Sequence, residues 1–136
     1  MLDATEETAR GNIVEFVSPI LGFADETSFA LAPLEESGTL WSLTSTQTPG
    51  LTFVLASPGP FFPDYAPAIE ESAVAGLSAN GEELALLVIL TVSGPIRTAT
   101  ANLMAPIVLA PNQHRGLQVV LADETLPLRA PLDSAG

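Results

Sequence analysis

The sequence predicts an all-β fold: a small, antiparallel, barrel-like single domain with one short helix. Proline and glycine punctuate it every few residues, with 12 Pro and 10 Gly in 136 residues. Between them lie short runs of apolar and β-branched residues, a pattern typical of strands joined by turns. The length fits one domain, and 47% hydrophobic residues are enough to fill its core. A closed or nearly closed barrel is favoured, and a sandwich is the alternative.

Seven segments have the composition of strands. Residues 40–44 partly alternate between apolar and polar, as a half-buried strand does. Residues 84–92 are apolar except for Thr91, which predicts a strand covered on both faces, with a buried helix as the competing interpretation. The predicted strands are residues 13–17, 28–34, 40–44, 51–56, 84–92, 98–109 and 117–122.

Two irregularities are expected near the end of the chain. Pro106 lies inside the segment 98–109, and because proline cannot donate a ladder hydrogen bond, an edge position or a bulge is predicted there. The polar run 111–116 predicts a hairpin connection in which Gly116 supplies a positive-φ residue.

One short helix is predicted between two groups of strands. Ile69, Ala73 and Leu77 are spaced i, i+4, i+8, and Glu70 and Glu71 stand near the start, where acidic residues complement the helix dipole.

The predicted domain spans residues 13–128. Residues 1–12 lack a clear apolar pattern, and residues 129–136 have the composition of a C-terminal tail. The first residues are acidic and have no apolar signal region, and the longest apolar stretch is about half of what a membrane helix needs. A cytoplasmic protein is therefore expected.

The charge balance indicates which partners suit the chain. The chain has sixteen acidic residues and four arginines, which gives a net charge of −12. Nucleic acids and anionic membranes would be repelled, whereas a basic protein would be attracted. The other interpretation is that the charge only keeps an apolar protein soluble. No cysteine is present, which excludes disulfides and thiolate metal sites.

The residues predict no catalytic, cofactor or metal site. His114 is the one histidine and lies in a polar turn, where solvation is its usual role. No nucleophile elbow, dinucleotide fingerprint or P-loop occurs. The acids stand mostly as adjacent pairs, and on a strand such pairs point to opposite faces instead of converging on an ion.

The most unusual local feature is the loop at residues 58–67. It has four prolines in ten residues and carries three of the eight aromatic side chains, Phe61, Phe62 and Tyr65. Aromatic side chains on a stiff loop are suited to anchor a partner. In the alternative interpretation, Phe61 and Phe62 close one end of the barrel and Tyr65 hydrogen-bonds over it.

Several segments resemble, in order, those of the FliW flagellar assembly factors. The loop at 58–65 ends in FFPDY, which is typical of that family. The other matching segments are Phe16 with ILGF at 20–23, WSL at 41–43, LTFVL at 51–55, VILTV at 88–92, TANLMAPIV at 100–108 and RGLQVVL at 115–121.

The sequence departs from the family pattern at three places. Pro19 stands where the family usually has glycine, and Ala110-Pro111 stands where it usually has Ile-Asn. The N-terminal strand of typical members is not recognisable in residues 1–12.

The resemblance implies a function in partner exchange. FliW proteins are small β-barrels that bind CsrA, a homodimeric RNA-binding translational repressor, and stop it from silencing flagellin mRNA. They act away from the RNA-binding surface of CsrA. They also bind flagellin, which competes for them. The implied partners of this chain are therefore a CsrA-type regulator and flagellin.

A protein-binding regulator is the first hypothesis, with aromatic anchors and acidic side chains that steer a basic partner. A chaperone for flagellin alone is its close rival. An enzyme or small-ligand binder with a site inside the barrel is the third hypothesis, which a deep polar cavity would favour and a filled interior would oppose. For Ile20 and Phe23, core packing is the other interpretation. The candidate contact residues are Ile20, Phe23, Phe61, Phe62, Asp64, Tyr65, Glu70 and Glu71.

Overall fold

A computed structural model describes residues 13–36, 38–67, 69, 71–77, 84–92, 94–95, 98–110, 114–122 and 125–132. These residues form a sheet of nine strands and one 3₁₀ helix. The strands are β1 (Ile13–Ser18), β2 (Ser28–Pro33), β3 (Leu40–Ser45), β4 (Thr52–Ala56), β5 (Ala85–Thr91), β6 (Thr100–Ala101), β7 (Ile107–Ala110), β8 (Arg115–Gln118) and β9 (Ala130–Pro131), and the 3₁₀ helix is Glu71–Leu77.

The sheet closes on itself. Its strand order is β4-β3-β2-β1-β8-β7-β5-β6-β9, and β4 also pairs with β5. Seven strands therefore form a ring, while β6 and β9 extend from β5 beyond it. The prediction of a closed barrel is confirmed, and the sandwich is excluded.

One pair of neighbouring strands is parallel. β1 and β8 run in the same direction, with Phe16 opposite Gly116, and the register shifts between Phe16 and Ser18. All the other pairs are antiparallel. A ring of seven strands cannot alternate in direction all the way round, because the number is odd. The expected antiparallel sheet therefore contains one parallel join.

The segment predicted as a single strand over residues 98–109 is two strands, β6 and β7. Between them, the side-chain oxygen of Asn102 accepts hydrogen bonds from the backbone N–H groups of Met104 at 3.0 Å and Ala105 at 3.1 Å. This turn takes the chain out of the ladder just before the buried Pro106. The irregularity expected near Pro106 is present, but the prediction of one continuous strand over residues 98–109 was wrong.

Gly116 serves close packing and does not supply a positive φ. It lies within β8, where an added Cβ would stand 2.6 Å from Leu109 Cδ2 and 3.2 Å from Val14 Cγ1. The positive φ in this region belongs to His114, at 54°. The turn role predicted for Gly116 is therefore wrong, because the strand begins earlier than residue 117.

The predicted helix is a 3₁₀ helix. In that geometry residues three apart share a face, and here Val74 and the fully buried Leu77 pack on the cluster that includes Val108 and Leu117. The i, i+4 spacing of Ile69, Ala73 and Leu77 is that of an α-helix, so the predicted spacing of the buried face was wrong.

Part of the predicted tail belongs to the sheet. Ala101 pairs with Ala130, and Thr100 pairs with Pro131. Ala130 is 4% exposed and Leu132 is 6% exposed, so both belong to the core. Residues 1–12 and 133–136 lie outside the described residues.

Apolar side chains fill the barrel. Phe29 is fully buried, with its ring 5.0 Å from that of Phe16 and 6.0 Å from that of Phe53. Among the described residues, Ser45 is the one buried polar side chain. The interior cluster comprises Val14, Phe16, Ile20, Phe29, Leu43, Leu55, Leu87, Ile107 and Leu109.

Gly116→Ala tests the close packing at the parallel join. The added methyl group must displace the buried side chain of Leu109, so we expect a loss of about 1–3 kcal/mol in the free energy of unfolding. Gly59→Ala is the matched control, because nothing lies within 4 Å of a Cβ there. We expect that change to stay within about 0.5 kcal/mol. Urea unfolding measures both, and equal stability of the two variants would contradict the packing role of Gly116.

Candidate interaction surface

An apolar cleft of about 390 Å³ opens at the surface of the barrel and reaches the interior cluster at Ile20. Three side chains that line it are strongly exposed: Leu21 at 74%, Leu128 at 60% and Val120 at 57%. We call these three residues the rim. Single exposed apolar residues are ordinary, but several around one cleft mark a surface that binds something apolar.

The turn that carries Leu21 is held from both sides. Ile20 is 2% exposed and anchors the turn in the barrel core. Its carbonyl accepts a hydrogen bond from the N–H of Phe23 at 2.8 Å, and Gly22 between them has a φ of 90°. The N–H of Leu21 donates to Gln118 Oε1 at 2.7 Å. The exposure of Leu21 therefore comes from a fixed turn.

The deeper wall of the cleft is largely apolar. The rings of Phe23 and Phe53 meet edge to face at 5.0 Å, and Ile89 lies beside them on the cleft. Two amide side chains also line it, and both hydrogen-bond within the protein. Asn102 accepts from its own turn, and Gln118 donates to the carbonyl of Ala105 at 3.1 Å. The cleft therefore suits apolar side chains better than polar ones.

The aromatic loop packs on the barrel. Phe61 and Phe62 are half-buried against the cluster that includes Val88 and Leu90. The hydroxyl of Tyr65 donates to the carbonyl of Leu103 at 2.6 Å. Burial raises the pKa of Tyr65 to about 12. Phe61 and Phe62 thus pack on a cluster distinct from the interior one, and Tyr65 makes a hydrogen bond of the kind that the alternative interpretation expected.

The predicted contact residues therefore fall into separate regions. Ile20 and Phe23 line the cleft, whereas the aromatic loop does not. Asp64 is exposed beside Tyr65. Glu71 begins the 3₁₀ helix, and Glu70 lies outside the described residues.

Two of the three rim residues, Val120 and Leu128, were missed by the sequence reasoning, whereas Leu21 lies in the turn 20–23 whose Ile20 and Phe23 were candidates. Val120 was assigned to the strand 117–122, but β8 ends at Gln118 and Val120 turns outward. Leu128 was placed at the predicted end of the domain. Leu21 offered a usable signal, since it is a large apolar residue between the candidates Ile20 and Phe23 and directly before a glycine.

A second, smaller groove of about 300 Å³ lies beside the 3₁₀ helix. It is lined mainly by apolar side chains, including Ile69, Val74, Leu84 and Leu86. Leu84 is 39% exposed, much less than the rim residues of the cleft.

Among the described residues, no group of three or more His, Asp or Glu side chains is arranged to hold a metal ion. No helix in the described ranges is long and apolar enough to cross a membrane.

The fold and the cleft define a small barrel protein with an exposed apolar surface. Residues 3–132 match the family model described as FliW protein. A flagellar assembly factor FliW from Geobacillus sp. (strain WCH70) is 42% identical over 113 residues, which cover 82% of this chain and 78% of that protein. The chain belongs to the FliW family of flagellar assembly factors, and the resemblance seen in its motifs is confirmed.

Two further comparisons agree. The flagellar assembly factor FliW of Shouchella clausii (strain KSM-K16) is 36% identical over 126 residues, covering 92% of this chain and 86% of that protein. A crystal structure of the flagellar assembly factor FliW superposes with a TM-score of 0.80 at 34% identity. That match covers 97% of this chain and 89% of the solved chain.

The pKa of Tyr65 can be measured directly, because it is the one tyrosine in the chain. We expect the phenolate absorbance near 295 nm to give a pKa of about 12 in the folded protein, and about 10 in concentrated urea. Since folding raises this pKa, the hydroxyl contributes stability below pH 10 that is lost as the pH rises towards 12. Circular dichroism at each pH reports whether the protein is still folded. A folded-state value near 10 would contradict the burial of Tyr65.

Proposed function

We propose that this protein is a cytoplasmic regulator that acts by binding other proteins and catalyses no reaction. It binds a CsrA-type RNA-binding regulator and relieves the repression of flagellin mRNA. It also binds flagellin, and the two partners exchange. Membership of the FliW family is the observation that carries the proposal.

The filled interior supports protein binding over small-molecule chemistry. Ligand sites in barrels need an open cavity with a few polar groups directed into it. Here the interior cluster consists of packed apolar side chains, and the cleft that reaches it at Ile20 has a mostly apolar lining. This packing argues against an enzyme or small-ligand binder with its site inside the barrel.

The charge supports a basic partner. At a net charge of −12, the chain attracts cationic proteins and repels nucleic acids. An RNA-binding regulator carries positive surface to neutralise phosphates. Electrostatic attraction of this kind speeds encounter more than it strengthens the final complex.

Calorimetry tests the proposal. The purified protein is titrated into the CsrA-type regulator of its own organism, and separately into flagellin, at two salt concentrations. We expect binding to both, with the CsrA interaction weaker at the higher salt. Lysozyme serves as a basic control protein that should not bind specifically. Binding to flagellin alone would indicate a flagellin chaperone, and binding to neither would contradict the proposal.

The predicted contact residues can be tested on the same complexes. We propose that Ile20, Phe23, Phe61, Phe62, Asp64, Tyr65, Glu70 and Glu71 contribute contacts. If Tyr65 is an anchor, Tyr65→Ala weakens binding by about 1–3 kcal/mol. Tyr65→Phe, which keeps the ring, is its matched control. Reversal of charge at Glu70 and Glu71 should mainly slow association. Unchanged affinity in a folded Tyr65→Ala variant would remove Tyr65 from the interface.

A further inference from the structure

The rim of the cleft is the most exposed large apolar surface among the described residues. Leu21, Leu128 and Val120 have the highest exposure of the large apolar side chains, at 74%, 60% and 57%. All three line the same cleft. Leu34 is nearly as exposed, at 53%, but lies outside it. The clustering, rather than the exposure of any one residue, is what requires an explanation.

The cleft is held open by rigid structure. Gln118 accepts from the N–H of Leu21 and donates to the carbonyl of Ala105, so one side chain joins the turn at residue 21 to the turn at residues 102–105. The N–H of Leu121 donates to the carbonyl of Met104 at 2.8 Å, which fixes the chain beside Val120. A partner would therefore meet a prepared surface and lose less entropy in ordering it.

The size of the cleft limits what can enter. A volume of about 390 Å³ is at the small end of the range for ligand pockets. It accommodates a few side chains, not a folded domain. Because the lining is mostly apolar, and the oxygens of Asn102 and Gln118 already accept internal hydrogen bonds, the cleft favours apolar side chains.

The charge beside the cleft indicates what flanks those side chains. Asp25 and Glu26 follow Phe23, and the N–H of Glu26 donates to the Phe23 carbonyl at 3.0 Å. The carboxylate of Glu26 accepts from the hydroxyls of Ser45 and Thr48, which lowers the pKa of Glu26 and keeps it ionised. Arg129, which follows the rim residue Leu128, is positively charged, whereas the chain as a whole has a net charge of −12.

We propose that the cleft docks a short amphipathic segment of a partner protein, with apolar side chains between the three rim residues and Lys or Arg residues beside Asp25 and Glu26. The proposal rests on the proposed function as a protein-binding regulator and adds to it the surface and the chemistry of the bound segment. Apolar contact supplies the affinity, and the acidic residues set the orientation and the rate of encounter.

The test compares two double variants with the same change in charge. Leu21→Asp with Leu128→Asp alters the rim, and Leu34→Asp with Val92→Asp alters exposed positions outside it, since Val92 is 41% exposed. Circular dichroism and urea unfolding establish that both variants are folded. Each is titrated by calorimetry with the CsrA-type regulator and with flagellin. A synthetic 14-residue amphipathic peptide of Leu and Lys, and its Leu and Glu counterpart, are used as further probes.

We expect the rim variant to lose at least tenfold in affinity for a partner, and the control variant to stay within about twofold. Both variants are more acidic than the parent protein, so a loss confined to the rim variant cannot come from reduced attraction. The Leu and Lys peptide should bind the parent protein and the control variant but not the rim variant, and the acidic peptide should bind none of them.

Equal affinity of the two variants for a partner that binds the parent protein would overturn the inference and leave the proposed function standing. If neither partner binds the parent protein, the proposed function fails, and the peptides alone decide the role of the cleft. Light scattering on the parent protein and the rim variant tests whether a second copy of the chain occupies the cleft instead. A parent dimer that becomes a monomer in the rim variant would assign the cleft to a second copy and overturn the inference.

Discussion

The close approach of β1 and β8 is the constraint on which the barrel depends. Seven strands form the ring, so one pair of neighbours must be parallel. At that join Gly116 lies opposite Phe16, and the side chains of Leu109 and Val14 occupy the space that a Cβ would need. Because Gly116 has no side chain, the two strands approach each other without displacing Leu109 and Val14. With the ring closed, Phe16 and Phe29 are shielded from water, at 5% and 0% exposure.

The segment between β6 and β7 connects the core to both predicted regions of contact. Asn102 shapes its turn, Gln118 binds the carbonyl of Ala105, and Tyr65 binds the carbonyl of Leu103. The cleft and the aromatic loop are therefore both positioned by one short stretch of irregular backbone. Pro106 follows that stretch and has no N–H to donate to a ladder, whereas its carbonyl accepts from the N–H of Val119 at 3.0 Å.

The aromatic loop and the cleft show two different uses of apolar residues. Phe61 and Phe62 look like anchors in the sequence, yet they are half-buried on the core and Tyr65 is tied to the backbone. Leu21, by contrast, is an unremarkable residue in a turn, yet it is 74% exposed. Whether an apolar side chain packs or projects depends on the surface beneath it, and that surface comes from distant parts of the chain.

The sequence by itself determined the fold class, most of the strands and the family. Turn residues and β-branched runs act locally, so the strands in the first half of the chain were predicted to within a few residues. The family followed from segments that stand in a fixed order along the chain. Only the tertiary structure decided the parallel join, the division at Asn102, the pairing of Ala130 with Ala101, and the cleft. Leu21 and Leu128 are more than 100 positions apart, and only the closed ring of strands brings them to one surface, because pairing between strands depends on long-range contacts that no local pattern encodes.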